Sequence, residues 1–174
     1  MSCLDDAYID FDSRPDDKFL ATLSSLSSLA LYLKDEMVVG CSTIKFSRLM
    51  ECIIYPEESD WIEPTLLLLG NSPKLKSLTI DYDCTPEPED LPLSWNPPSS
   101  VPGCLSSELE LFVWKFYGGR EEEEQFLKYI LANAKCLKTA VISLMRTTPD
   151  LEMMMEALKD IPRVSTESKL MFET

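Results

Sequence analysis

The sequence contains no histidine and only five glycines in 174 residues. Without an imidazole, a Ser–His–Asp or Cys–His nucleophile pair is excluded, and so is any zinc site with a histidine ligand. Neither G-x-G-x-x-G nor G-x-x-x-x-G-K occurs, which removes the common phosphate-binding loops. We therefore expect no catalytic residues, no cofactor and no metal site, although distant carboxylates could still converge for acid–base catalysis.

Basic residues are also scarce. The 16 Lys and Arg residues are outnumbered by 30 Asp and Glu residues, so the net charge is −14, and no Lys/Arg cluster offsets it. Such a surface repels phosphate, which argues against nucleic acids and anionic membranes as partners. Purely apolar runs such as Leu66–Leu69 are far too short to span a bilayer. We expect the partner to be another protein, whose identity the sequence does not reveal.

The six cysteines are widely spaced, and no C-x-x-C pair occurs. A disulfide framework is therefore not expected, and a four-cysteine zinc site lacks the usual paired ligands. Asp5, Asp6 and Asp10 follow the first residue too closely for a secretory signal peptide. We expect a reduced, intracellular protein in the cytoplasm, the nucleus or both.

A frame of the form L-x-x-A-x-I recurs along the chain. Its third positions are 22 to 31 residues apart, which is typical of leucine-rich repeats with one short strand and one helical return per unit. Stacked units present a ladder of strands to a partner, so this pattern favours binding over chemistry. The frames are Leu4/Ala7/Ile9, Leu26/Leu29/Leu31, Leu49/Cys52/Ile54, Leu75/Leu78/Ile80 and Leu137/Ala140/Ile142, with partial copies at Leu109/Leu111 and Leu170/Phe172.

The fold class follows from this spacing. We expect an α/β fold, a short leucine-rich-repeat-like solenoid of parallel strands with helical returns that continues into a C-terminal βα module. The predicted strands are residues 7–11, 28–33, 50–55, 77–82, 109–116, 139–144 and 169–172, and the predicted helices are residues 16–26, 61–69, 120–135 and 147–160.

Half of the 12 prolines lie in residues 84–103. Because proline lacks a backbone donor and resists helix formation, we expect an irregular connector there. The predicted organisation is a repeat segment (1–83), a proline-rich connector (84–103) and a C-terminal module (92–174) that overlaps the connector. Trp95 is predicted to pin the connector to the core.

Two motifs on the predicted C-terminal helices have alternative interpretations. Glu121–Glu124 begin one helix, where carboxylates favour the positive end of the helix dipole. We prefer this to a metal site, because four consecutive helical carboxylates point in different directions. Met153–Met155 lie on the next helix and are either core residues or part of an adaptable binding surface.

Alternate residues of the strands predict the partner-binding surface. Frame residues point inward, so each residue after a frame points outward. The outward residues that follow the frames form one column across the predicted sheet. This column combines aromatic and acidic side chains, which suit a protein interface. Trp114 lies further along the same predicted face as Phe112. The alternative is that this strand packs on both faces and buries Phe112 and Trp114. The column is Asp10, Tyr32, Tyr55, Asp81, Phe112 and Ser143, and the candidate partner-binding residues are Tyr32, Tyr55, Asp81, Phe112 and Trp114.

Four stretches of the second half of the chain, taken in order, resemble the plant FBD domain. Three phrases of the first half resemble the repeats that precede this domain in plant F-box/FBD/LRR-repeat proteins. The second-half stretches are Trp95–Leu111, Trp114–Glu124, Tyr129–Ala140, and Pro162–Ser165 followed by Leu170 and Phe172. The first-half phrases are Phe46-Ser-Arg-Leu49, Asp60-Trp61 and Asn71-Ser-Pro-Lys74-Leu-Lys-Ser-Leu78.

The resemblance implies a non-enzymatic protein-interaction module. In this family an F-box docks on the adaptor of a cullin–RING ubiquitin ligase, and the repeats are thought to select substrates. Too few residues precede the first repeat for an F-box, so adaptor binding is doubtful and a short paralogue or truncated product is expected. The alternatives are a stand-alone decoy without a ligase role and, from another class, an acid–base enzyme using clustered carboxylates.

Overall fold

The structure is a computed structural model that describes residues 5–9, 17–33, 43–56, 61–82, 95–145 and 150–173. Its strands are β1 (Asp6–Ile9), β2 (Ser28–Leu33), β3 (Glu51–Pro56), β4 (Ser77–Asp81), β5 (Leu111–Tyr117), β6 (Thr139–Leu144) and β7 (Lys169–Glu173). Its helices are α1 (Asp17–Leu23), α2 (Ile62–Gly70), α3 (Gly103–Ser107), α4 (Glu121–Asn133) and α5 (Leu151–Lys159).

The strands form one seven-stranded sheet whose spatial order is the chain order, and every neighbouring pair is parallel. The predicted fold class is therefore confirmed, and each predicted strand overlaps an observed one. The registers place the third frame residues side by side, so that they form a continuous apolar layer. This inward row is Ile9, Leu31, Ile54, Ile80, Trp114, Ile142 and Phe172.

Backbone hydrogen bonds also join the turns that precede the strands. Lys76 N–H donates to the carbonyl of Met50, Glu110 N–H to that of Lys76, and Lys138 N–H to that of Glu110. Successive units therefore stack turn on turn as well as strand on strand. The stacking satisfies backbone groups that would otherwise be unpaired where each strand begins.

The partial frame predicted at Leu109/Leu111 was wrong. In the structure the frame is Leu109/Phe112/Trp114, because Phe112 pairs with Leu78 and Ala140 in the register of β4–β5–β6. Leu111 lies at an outward position and is exposed. The long segment between β4 and β5 made the spacing irregular, so the frame position could not be extrapolated from the preceding repeats.

A cluster of aromatic rings joins the two halves of the chain around Trp114. Its indole lies 5.6 Å from the ring of Trp61, is stacked on Tyr82 at 6.1 Å, and lies 6.0 Å from Phe126. Trp95 packs against Tyr129 at 5.4 Å, which confirms that it anchors the residues around it to the core. The sheet and the core thus continue from β4 into β5, while residues 84–94 of the predicted connector lie outside the described residues.

The acidic start of α4 contains one buried carboxylate. Glu123 is almost fully buried, and its Oε2 accepts hydrogen bonds from the backbone N–H groups of Gly118 (3.0 Å) and Arg120 (3.1 Å). A glutamate at this position of a helix satisfies amide donors that have no partner within the helix. The sequence placed these carboxylates correctly at the positive end of the helix, but it did not distinguish Glu123 from its neighbours.

Helix α5 begins at Leu151, and the predicted start at residues 147–149 lies outside the described residues. Met154 and Met155 pack against the core, whereas Met153 is 68% exposed. The methionine run is therefore mainly core packing, with one side chain at the surface. Among the described helices, none has the length and apolar character needed to cross a membrane.

Candidate protein-binding surface

The outward positions of the sheet form a surface opposite the inward row, which we call the open face. Side chains alternate between the two faces of a strand, and the parallel registers align them in three rows across the sheet. The first row is Asp6, Ser28, Glu51, Ser77, Leu111, Thr139 and Lys169. The second is Tyr8, Ala30, Ile53, Thr79, Val113, Val141 and Met171. The third consists of three aligned pairs, Tyr32 with Tyr55, Asp81 with Lys115, and Ser143 with Glu173, and the register of β5 against β6 is irregular after Trp114.

Three tyrosines on β1–β3 contact one another at the N-terminal part of the open face, and we call them the tyrosine patch. Tyr32 and Tyr55 stack with ring centroids 4.6 Å apart, and Tyr8 meets their edges at 5.6 and 6.1 Å. The Tyr8 hydroxyl donates a 2.7 Å hydrogen bond to the Tyr32 hydroxyl. These contacts hold the rings in place before any partner binds, which lowers the entropy cost of association.

Exposure differs within the tyrosine patch. Tyr8 is 64% exposed, Tyr55 is half-buried, and Tyr32 is only 9% exposed. Tyr32 therefore supports the other two rings more than it offers contact area. Tyr8 and Tyr55 present the surface that a partner could cover.

An ion pair lies next to the tyrosine patch along the third row. Lys115 Nζ is 2.9 Å from Asp81 Oδ2, and the Asp81 side chain is 7% exposed whereas that of Lys115 is 48% exposed. Asp81 is thus largely covered, and Lys115 supplies the accessible part of this pair. Exposed apolar side chains continue the open face toward β7, where Met171 is 51% exposed.

The structure supports some predicted surface positions and corrects others. Tyr32, Tyr55 and Asp81 occupy the outward row as predicted, and their role in binding stays a prediction. The outward placement of Phe112 and Trp114 was wrong, because both belong to the inward frame of β5 and are fully buried. Ser143 also lies in the outward row, and Asp10 lies outside the described residues.

Tyr8 and Lys115 are surface residues that sequence reasoning missed. Tyr8 stands between Ala7 and Ile9 of the first frame, so strand alternation alone marks it as outward. Lys115 follows Trp114, and it would have been found had the frame of β5 been aligned on Trp114.

Burial disfavours the charged forms of two phenols and one thiol in the core. Burial raises the pKa values of the Tyr82 and Tyr117 phenols well above their ordinary range, and the nearby Glu123 carboxylate adds to both shifts. Burial also raises the pKa of the Cys104 thiol to about 11, so it is not a thiolate at neutral pH. Across the described part of the chain, no three His, Cys, Asp or Glu side chains are grouped in a way that could hold a metal ion.

Comparisons with known proteins agree with this architecture. Residues 96–142 match the model of the FBD family. The chain is 53% identical to a putative FBD-associated F-box protein of Arabidopsis thaliana, over 99% of the chain and 42% of that protein. It is also 51% identical to a putative F-box/FBD/LRR-repeat protein of the same plant, over 100% of the chain and 37% of the relative.

A third, more distant relative is an F-box/FBD/LRR-repeat protein of Arabidopsis thaliana that is 34% identical over 99% of the chain and 42% of its own length. The chain therefore spans about two-fifths of the length of these curated relatives. No solved structure matches the chain. Identity over nearly the whole chain, the FBD match and the parallel repeat sheet together place this chain in the plant F-box/FBD/LRR-repeat family.

Proposed function

We propose that the chain is a protein-recognition module of the F-box/FBD/LRR-repeat type, which binds a partner protein on the open face of its sheet, around Tyr8 and Tyr55. In a full ligase receptor the bound partner would be the ubiquitination substrate. The observation that carries this proposal is the tyrosine patch, a preorganised aromatic surface with one ring largely exposed.

The chemistry of the surface supports this assignment. Tyrosine is among the residues most enriched at interface hot spots, because its ring offers large contact area at low conformational cost. Isolated exposed aromatic residues are common on soluble proteins, but here three rings on adjacent strands contact one another. The repeat architecture continues the surface from the tyrosine patch with further outward side chains on β4–β7, which suits an extended partner surface.

Replacing Tyr8 by alanine should weaken partner binding about tenfold or more, because a tyrosine hot spot typically contributes about 2 kcal/mol. Folding should be little affected, since the ring is mostly exposed. The measurement is quantitative affinity purification of the tagged chain from plant cells, comparing wild type, Tyr8→Ala and Met153→Ala. Met153→Ala is the matched control, because this equally exposed apolar side chain lies on α5.

Proteins retained by wild type and Met153→Ala but lost with Tyr8→Ala would be partners of the open face. Equal retention by all three chains would contradict the proposal. A second experiment tests the ligase role by joining the chain to an F-box that recruits the cullin–RING adaptor. A fall in the cellular level of those same partners supports substrate recognition, whereas tyrosine-dependent binding without any fall supports the decoy alternative.

A further inference from the structure

The outward charges of the open face are acidic on β1–β4 and mostly basic on β5–β7. We propose that the N-terminal part of the open face binds a cationic segment of the partner protein, with an arginine or lysine side chain against the tyrosine patch. This inference rests on the proposed function and adds the chemical class of the partner. It commits to β1–β4 as the docking region for the basic segment.

Outward charges on β1–β4 all have the same sign. The three outward rows place Asp6, Glu51 and Asp81 on these strands, and no Lys or Arg occupies an outward position there. Asp6 and Glu51 are exposed, while Asp81 is covered and bound by Lys115. Among the outward-row charges of β1–β4, the accessible ones are therefore the carboxylates of Asp6 and Glu51. Two exposed cations nearby are each paired with a carboxylate, Arg48 with Asp5 before these strands and Lys115 with Asp81.

The spacing of these carboxylates allows a long cationic side chain to lie against Tyr8 and reach a carboxylate. In the first row, Asp6 and Glu51 lie on either side of Ser28, two strands apart, or about 10 Å. The row that contains Tyr8 is two residues further along the strands, or about 7 Å. A guanidinium over an exposed tyrosine ring can thus reach a carboxylate of the neighbouring row.

The C-terminal part of the open face has a different character. On β5–β7 the outward rows contain Lys115 and Lys169, and Glu173 is the single outward carboxylate. The other outward residues there are mostly apolar, including Val113, Val141 and Met171. A basic segment is therefore attracted to one end of the sheet and not to its whole length, so charge sets the orientation of the partner.

The test uses synthetic peptides in which arginine alternates with serine, and matched peptides in which glutamate replaces arginine. Isothermal titration calorimetry should detect binding of the arginine peptide and not of the glutamate peptide. The double variant Asp6→Asn/Glu51→Gln should weaken this binding about tenfold, a loss of about 1.4 kcal/mol. Raising the salt concentration should weaken wild-type binding, because exposed charge pairs are screened.

The control variant Glu152→Gln/Glu156→Gln also removes two negative charges, but from exposed positions on α5. It should leave the affinity for the arginine peptide within about twofold of wild type, since screened charges that distant contribute little. An equal loss in both double variants would show attraction to the net charge alone and would overturn the inference. Failure of the arginine peptide to bind would overturn it as well.

Failure of this inference can be told apart from failure of the proposed function. Asp6→Asn/Glu51→Gln and Tyr8→Ala are compared for the cellular partners that wild type retains. Loss with Tyr8→Ala alone leaves the open face as the binding surface and rejects the cationic segment. Retention with both variants rejects the proposed function itself.

Discussion

Replacing Trp114 by alanine is expected to destabilise the whole chain by about 4 kcal/mol, because removal of a fully buried tryptophan loses its buried area and leaves a cavity. The indole contacts Trp61 and Tyr82 before the connector, and Tyr117 and Phe126 after it. Loss of these contacts should therefore weaken the repeat segment and the C-terminal part together. Urea unfolding is followed by circular dichroism and by fluorescence. For each protein the two probes should give the same transition, and the midpoint of the variant should lie at a lower urea concentration than that of wild type.

Trp114→Phe is the matched control for this prediction. Its ring keeps much of the aromatic packing, and it lacks the indole Nε1–H, which has no hydrogen-bond partner among the described residues. A buried unpaired donor costs about 1–3 kcal/mol, so its removal should offset part of the lost area. We expect Trp114→Phe to cost less than half of what Trp114→Ala costs. Two separate transitions, with only the second half destabilised, would contradict the joint core.

Replacing Glu123 by alanine is expected to lower the free energy of unfolding by about 3 kcal/mol. The carboxylate accepts hydrogen bonds from two backbone N–H groups, and hydrogen bonds to charged groups contribute about 1.5–3 kcal/mol each. Glu123→Gln should retain most of the stability, since a glutamine oxygen can accept the same two bonds at this helix position. The measurement is the free energy of unfolding in urea for both variants.

The pH dependence of Glu123→Gln tests the environment of this carboxyl. Burial raises the pKa of Glu123, and the backbone N–H groups of Arg120 and Gly118 act in the opposite direction. Because the folded-state pKa exceeds the ordinary value of 4.5, the stability contributed by this group is fully present below that value. It is lost as the pH rises through the folded-state pKa. The difference in free energy of unfolding between Glu123→Gln and wild type should therefore shift in favour of the variant as the pH rises from about 4.5 to about 7. A difference that is constant or of opposite sign would contradict a raised pKa.

Most of the fold could be predicted because one physical rule repeats along the chain. In each unit the same apolar positions face the core, so the strands Ser28–Leu33 and Thr139–Leu144 were predicted to the residue. The rule failed at β5, because the long segment after β4 makes the repeat spacing irregular. Phe112 and Trp114, which were predicted to point outward, are buried in the core. A local pattern cannot fix register across an irregular insertion, because the choice depends on the neighbouring strands.

The candidate surface was predictable in outline and not in detail. Strand alternation correctly placed Tyr32 and Tyr55 on one face, but it could not show that Tyr32 lies beneath Tyr8. Exposure of a given tyrosine depends on contacts between strands that are more than twenty residues apart in the chain. Glu123 was not distinguished from its acidic neighbours because the helix start was predicted without assigning which glutamate accepts the backbone N–H groups of Gly118 and Arg120.

Hydroxyl-radical footprinting of the chain, alone and bound to a partner from the affinity purification, tests the central claim most directly. Three exposed, oxidisable side chains report on two surfaces, with Tyr8 and Met171 on the open face and Met153 on α5. Binding on the open face predicts that oxidation of Tyr8 falls strongly while oxidation of Met153 stays unchanged. Protection of Met153 with Tyr8 still fully oxidised would place the partner on the helical side and contradict the proposal.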